Sequence, residues 1–179
     1  MKSDTSKFNQ SDTLYLYNAG LILLAPFLPQ LFEGLGWIQD KRFTDKDKTQ
    51  LAVQLLQYLC DGQDEPPEYQ LSLNKILCGL HPQILYTPER LLLNIEKEQA
   101  EALLQAVVGH AAALGLKTPD ALRGSFLLRK GTLESAGTHW LLRVETETWD
   151  ILLPRIPWNY QIVKLPWMEV PIYVEWEVN

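Results

Sequence analysis

The chain has 179 residues, of which 46% are hydrophobic and 21% charged, and its formal net charge is -6 at pH 7. This length fits one domain, or one domain with a small appendage, and can bury a sizeable core. The negative charge, together with the absence of a Lys/Arg run, argues against a nucleic-acid binder. The longest apolar run, residues 19–28, contains a proline. A bilayer span needs ~20 apolar residues, so no membrane insertion is expected.

The N-terminal part divides into a polar tail and a helical region. Residues 1–12 lack apolar periodicity, which predicts a disordered tail or a linker. Residues 13–179 are predicted to form a single domain. Within residues 14–35, leucines and phenylalanines recur at steps of three and four, which is typical of a helix. Pro26 and Pro29 each lack a backbone donor, so we expect them to divide this helix.

Further helices follow up to Gly131. One is predicted from Thr44 or Asp45 to Gly62, and a shorter one covers residues 71–79. Asn94 is the expected N-cap of a long helix that ends at Gly115. Thr118 then caps a last helix, because proline follows it at the first helical position.

The C-terminal part changes to a period of two, which indicates half-buried strands. Strands are predicted at residues 140–145, 151–153, 160–165 and 172–178. The predicted fold class is therefore α+β. An N-terminal helical bundle, residues 13–131, precedes a small antiparallel β-sheet in a β-rich part, residues 132–179.

No constellation of residues indicates catalysis, a cofactor or a metal ion. His81, His110 and His139 are too far apart in sequence for metal-ligand spacing, and no nucleophile, phosphate-loop or dinucleotide motif occurs. Cys60 and Cys78 fit neither zinc nor redox spacing, so buried thiols in a reducing compartment are favoured over a disulfide. The expectation is a protein that is not an enzyme and binds no cofactor.

Five of the six tryptophans lie between Trp140 and Trp176. Three roles are open for them: packing in a small core, contact with a partner protein, and stacking on a ligand. The pattern Ile/Leu-Pro-Trp occurs twice, and proline lowers the ordering cost of presenting an indole. The candidate protein-interaction residues are Trp158, Trp167, Tyr160 and Trp176.

Seven phrases, in order along the chain, resemble the C-terminal region of contractile injection system tape measure proteins. They are LYLYNAGLILLAPFLPQLFEGLGW (14–37), TQLAVQLLQYLCDG (49–62), PEYQLSLNKILCGL (67–80), EALLQAVVGHAAAL (101–114), PDALRGSFLLRKGTL (119–133), WLLRVETETWDILLPRIPWNYQIVKLPWM (140–168) and PIYVEW (171–176). The signals YNAGL, LLQYL, LNKILCGL and LPWM…VEW carry most of the likeness. Their common order makes the resemblance specific.

The resemblance implies a structural protein of a phage-tail-like particle, which takes part in setting the length of the inner tube. The implied partners are the inner tube and the baseplate hub or spike, with a homo-oligomer left open. The implied location is the cytoplasm during assembly and then the particle itself. The chain would be either the anchoring domain of a longer ruler or a short member of the family.

Two other functions stay open at this stage. One is an α+β adaptor or chaperone of a secretion machine. The other is a carbohydrate-active domain that uses the tryptophans with Glu145 and Glu147 as paired carboxylates.

Overall fold

The computed structural model describes residues 12–178, and helices and strands alternate along this part of the chain. The α-helices are α1 (Leu28–Gly34), α2 (Lys46–Asp61), α3 (Ser72–Leu77), α4 (Asn94–His110) and α5 (Pro119–Leu122). The strands are β1 (Leu14–Leu16), β2 (Ile38–Gln39), β3 (Arg42–Phe43), β4 (Gly131–Ser135), β5 (Trp140–Val144), β6 (Ile162–Val163) and β7 (Ile172–Glu175). Short 3-10 helices cover Ala19–Phe27, Glu68–Gln70, Ala112–Leu114 and Thr148–Arg155, and a π-helical turn covers Arg123–Leu127.

The predicted order of a helical bundle followed by an antiparallel sheet is wrong. The main sheet has five strands in the order β1-β4-β5-β7-β6, so its first strand comes from the start of the described chain. The sheet is mixed, because β5 and β7 run parallel while the other neighbours are antiparallel. Strands β2 and β3 form a separate two-stranded ribbon. The fold is therefore α+β with its helices and strands interspersed.

Three local predictions differ from the structure, because contacts with residues far along the chain decide how these short segments fold. Residues Leu14–Leu16 were predicted as helix, but they pair with β4, more than a hundred residues later. Residues 151–153 were predicted as a strand, but they belong to the 3-10 helix Thr148–Arg155. Residues 160–165 shorten to the two-residue strand β6 between prolines. Short segments carry too few periods for sequence alone to separate helix from strand.

The prolines of the first apolar segment act as predicted. The 3-10 helix Ala19–Phe27 contains Pro26, and α1 begins at Leu28 with Pro29 in its first turn. Proline is tolerated at a helix start, where its missing N–H has no intrahelical partner. The predicted division of residues 14–35 is confirmed. The predicted tail, residues 1–12, lies outside the described residues except for Asp12.

Helix caps follow the sequence signals closely. Asp45 caps α2 by accepting a hydrogen bond from the Lys48 N–H at 2.8 Å, and Thr118 caps α5 by accepting one from Ala121 at 3.1 Å. The predicted N-cap at Asn94 is displaced by one residue, because Leu93 is the cap and its N–H donates to the Glu96 carboxylate. None of the helices in residues 12–178 has the length and apolar character needed to cross a membrane.

The YNAGL phrase packs tightly against helical segments that lie far along the chain. Asn18 is buried and donates hydrogen bonds to Gln57 at 3.0 Å and to Asn74 at 2.7 Å. The Ala19 N–H donates to the carbonyl of Arg129 at 2.8 Å. A Cβ atom placed on Gly20 would lie 1.6 Å from the carbonyl oxygen of Phe126. The phrase therefore marks a place where two backbones touch.

We expect the substitution Gly20→Ala to destabilise the fold strongly. Because the clashing atom belongs to the backbone, it cannot move aside as a side chain can, and the cost is about 2–4 kcal/mol of unfolding free energy. The measurement is urea unfolding followed by circular dichroism. The matched control is Gly34→Ala at the end of α1, where a Cβ meets nothing within 4 Å. A Gly20→Ala variant as stable as the control would refute the contact.

Candidate protein-interaction surfaces

The four predicted interaction residues do not form one exposed patch. Tyr160 and Trp176 are both buried, and their rings meet edge to face at 5.8 Å between centroids. Trp158 and Trp167 are half-buried and pack against different phenylalanines. Contact with a partner through these four residues therefore stays a prediction, and in the monomer they mainly complete the core.

The two Pro-Trp residues fasten the C-terminal loops to the helical layer. The Trp158 indole N–H donates to the carbonyl of Leu23 at 3.0 Å, and its ring lies 4.9 Å from that of Phe27. The Trp167 indole N–H donates to the carbonyl of Leu77 at 2.7 Å. Leu77 is the last residue of α3, where carbonyls have no intrahelical partner. Each indole therefore satisfies a backbone acceptor while it fills space beside the core.

Trp176 completes a buried ion pair. The Arg129 guanidinium donates to both carboxylate oxygens of Asp150, at 2.6 and 2.9 Å, and these two side chains are 4% and 0% exposed. Asp150 also accepts from the Trp176 indole at 2.8 Å and from the Glu147 N–H at 2.9 Å. Arg129 donates further to the carbonyls of Glu145 and Ser125. A buried charge pair is stable when its remaining donors and acceptors are also satisfied, and this pair meets that condition.

We expect Asp150→Asn to cost about 3–5 kcal/mol of unfolding free energy, because it leaves the Arg129 charge buried without a counter-charge. Chemical denaturation at neutral pH measures the loss. The matched control is Glu175→Gln, which breaks an exposed ion pair with Arg143 and is worth at most about 1 kcal/mol. Equal stabilities for the two variants would contradict the role given to the buried pair.

For Trp158→Ala and Trp167→Ala we expect losses of about 2–4 kcal/mol, since each removes both packing and an indole hydrogen bond. Trp149→Ala is the control, because its ring is 46% exposed although its N–H donates to the carbonyl of Ser125. Thermal unfolding of the three variants decides the matter. Wild-type stability of Trp158→Ala and Trp167→Ala would contradict the packing role of these two residues and would favour contact with a partner instead.

Three exposed tyrosines lie at the sheet, away from the four predicted residues. Tyr15 is 71% exposed, Tyr17 51% and Tyr173 39%. Tyr15, Thr132 and Arg143 lie side by side on β1, β4 and β5. The exposure of Tyr15 and Tyr17 is not predicted from the sequence, because the helical pattern of the following residues obscures the alternation Leu14-Tyr15-Leu16-Tyr17. That alternation is the signal of a strand with one face exposed.

A groove of about 480 Å³ opens on this face. It is lined by Tyr15, Leu16, Tyr17, Lys130, Gly131, Thr132, Arg143, Val144 and Glu145. The Arg143 charge is met by Glu134 at 3.1 Å and by Glu175 at 2.9 Å. The groove therefore has tyrosine walls on the β1 side. On the β5 side the charge of Arg143 is compensated, and the exposed Lys130 and Glu145 carry opposite charges.

The carboxylates and tryptophans that were considered for a carbohydrate-active site do not come together in one site. Glu145 and Glu147 are both exposed. The rings of Trp158 and Trp167 pack at steep angles against Phe27 and Phe32, so within residues 12–178 the paired acids and these tryptophans do not form a buried sugar site. Cys60 and Cys78 are buried free thiols, as predicted. Burial raises the pKa of both, which keeps them protonated. Within residues 12–178, no group of three or more His, Cys, Asp or Glu side chains could hold a metal ion.

Comparison with protein families matches residues 1–176 to one family, described as contractile injection system tape measure protein. The chain belongs to this family. The match covers nearly all of the sequence, so it includes both the YNAGL contact and the C-terminal tryptophans. No curated protein and no solved structure matches the chain. The resemblance noted in the sequence is confirmed, and it gives this tape measure family member a structural role in a contractile injection system.

Proposed function

We propose that this protein is an assembly component that helps to determine the length of the inner tube and docks on the baseplate hub or spike. The observation that carries the proposal is the family match over residues 1–176. In this proposal it acts by binding, and within residues 12–178 the buried charged pair Arg129 and Asp150 serves to hold the fold. Its partners are the inner tube and the hub or spike, and a second copy of the chain is a further candidate.

The shape of the described residues favours docking over spanning. The longest helix, α4, has 17 residues and is about 25 Å long at ~1.5 Å per residue. It packs against α2 and α5 and does not project as a rod. Residues 12–178 therefore supply a folded head with a helical side and a sheet side. In this proposal the head anchors one end of the length-determining assembly.

The proposed location follows from this role. The protein is made in the cytoplasm and assembles there with the tube and baseplate. It then remains in the finished particle. The exposed sheet face offers the docking surface. Of the four predicted contact residues, Trp158 and Trp167 keep partly exposed rings that a partner could reach, whereas Tyr160 and Trp176 are buried.

The experiment is deletion of the gene in a strain that makes the particle, with tube lengths measured by electron microscopy. We expect either no particles or tubes of uneven length, and an affinity-tagged copy that co-purifies with sheathed particles. Complementation with Gly34→Ala restores uniform length, whereas Gly20→Ala does not, because only the second disturbs the fold. Particles of normal number and length in the deletion strain would overturn the proposal.

A further inference from the structure

The two edges of the main sheet are built differently. Strand β6 has two residues and is followed by Lys164 and Pro166, which are features that discourage further pairing. Strand β1 has the sequence Leu-Tyr-Leu, with neither charge nor proline. No residue of β1 has a strand neighbour within residues 12–178 other than β4. One edge is thus blunted, and the other is left apolar and regular.

The hydrogen-bond pattern shows which groups of β1 point outwards. The Glu145 N–H donates to the carbonyl of Lys130, and the Ala19 N–H donates to that of Arg129. Successive residues of a strand direct their backbone groups to opposite sides. The even-numbered residues of β4 therefore bond towards β5, and the odd-numbered ones bond towards β1.

This parity places Tyr15 at the open edge. Leu14 and Leu16 pair with the odd-numbered residues Leu133 and Gly131, so their backbone groups face β4. The N–H and C=O of Tyr15 face away from the sheet. Outside the strand ladders, no backbone hydrogen bond between described residues uses either group. The exposed Tyr15 ring also forms one wall of the groove on the outer face.

We infer that β1 receives an extended segment of another particle protein as a sixth strand, with uncharged apolar side chains beside Tyr15 and Tyr17. This inference rests on the proposed function and names the chemistry of its docking surface. An added strand can satisfy an N–H and a C=O that point outwards from a sheet edge through main-chain hydrogen bonds. Apolar side chains suit the tyrosine side of the groove, because Glu134 and Glu175 already meet the charge of Arg143 and the two other charged lining residues, Lys130 and Glu145, carry opposite signs.

A second copy of the chain is less suited than another protein to pair with β1. Pairing β1 with its own copy would join two edges of three residues, each about 10 Å long at ~3.3 Å per residue. A stable dimer buries about 800 Å² per partner, which so short a contact does not supply. A longer extended segment can continue beyond β1 and lay its outward side chains along the tyrosine walls of the groove, which adds contact area that two three-residue edges lack.

The test places the photoreactive residue p-benzoylphenylalanine at position 15 in the full chain, within a strain that makes particles. Position 162 is the matched control, since the Val174 N–H donates to the carbonyl of Gln161 and Ile162 therefore faces outwards at the β6 edge. We expect illumination to link position 15, and not 162, to a segment of a tube or baseplate protein. A link to residues 1–11 of the same chain, a link to a second copy, or no link at all in particles that contain the protein would overturn the inference.

Two substitutions give a second readout. Tyr15→Pro removes the outward N–H without touching a bond to β4, and Tyr15→Lys adds an edge charge while it keeps the backbone unchanged. Both are expected to reduce recruitment into purified particles by about tenfold or more, while Ile162→Pro stays within about twofold of wild type. Thermal unfolding shows that each variant is folded. Unchanged recruitment of a folded Tyr15→Lys would refute the inference alone, whereas wild-type protein missing from the particles would refute the proposed function.

Discussion

The buried pair of Arg129 and Asp150 is the interaction on which the C-terminal half of the structure depends. Arg129 lies just before β4, and Asp150 lies in the 3-10 helix that follows β5, so the pair joins the two ends of the β4–β5 hairpin. The Trp176 indole binds the same carboxylate and fixes the chain beyond β7. The Asp150 carboxylate thus connects three segments: the residues before β4, the 3-10 helix after β5 and the residues after β7. Arrangements that separate these segments are disfavoured, because they would leave a buried charge unpaired, which is very costly.

Close contacts at two glycines hold the first 3-10 helix against the π-helical turn and against β4. Gly20 touches the carbonyl of Phe126, and Gly131 leaves room for the Ala19 methyl group. Trp158 and Trp167 close the layer from the C-terminal loops by donating to carbonyls of the helical part. The aromatic residues that stand out in the sequence therefore serve the fold first. The surface that we propose for partners is the outer face of the sheet, where Tyr15 is exposed.

A buried aromatic core combined with an exposed sheet face is consistent with a structural member of a contractile injection system. A component that acts by docking needs a rigid body and an unsatisfied surface, and it needs no reactive group. The inner face of the sheet supplies rigidity through packing, and the β1 edge supplies backbone groups that another strand can pair with. Because β6 is blunted, we expect such pairing at the β1 edge and not at the β6 edge.

The sequence by itself determined the features that depend on neighbours along the chain. These were the caps at Asp45 and Thr118, the division at Pro26, the buried thiols and the family. Only the tertiary structure decided the order of the strands, the parallel pairing of β5 with β7, and the inward position of the tryptophans. A three-residue strand such as β1 has too little local pattern to identify it, and its structure follows from β4, which lies far along the chain. Local signals are set by short-range sterics and hydrogen bonds, whereas strand partners are chosen by the burial of a face that exists only once the chain has folded.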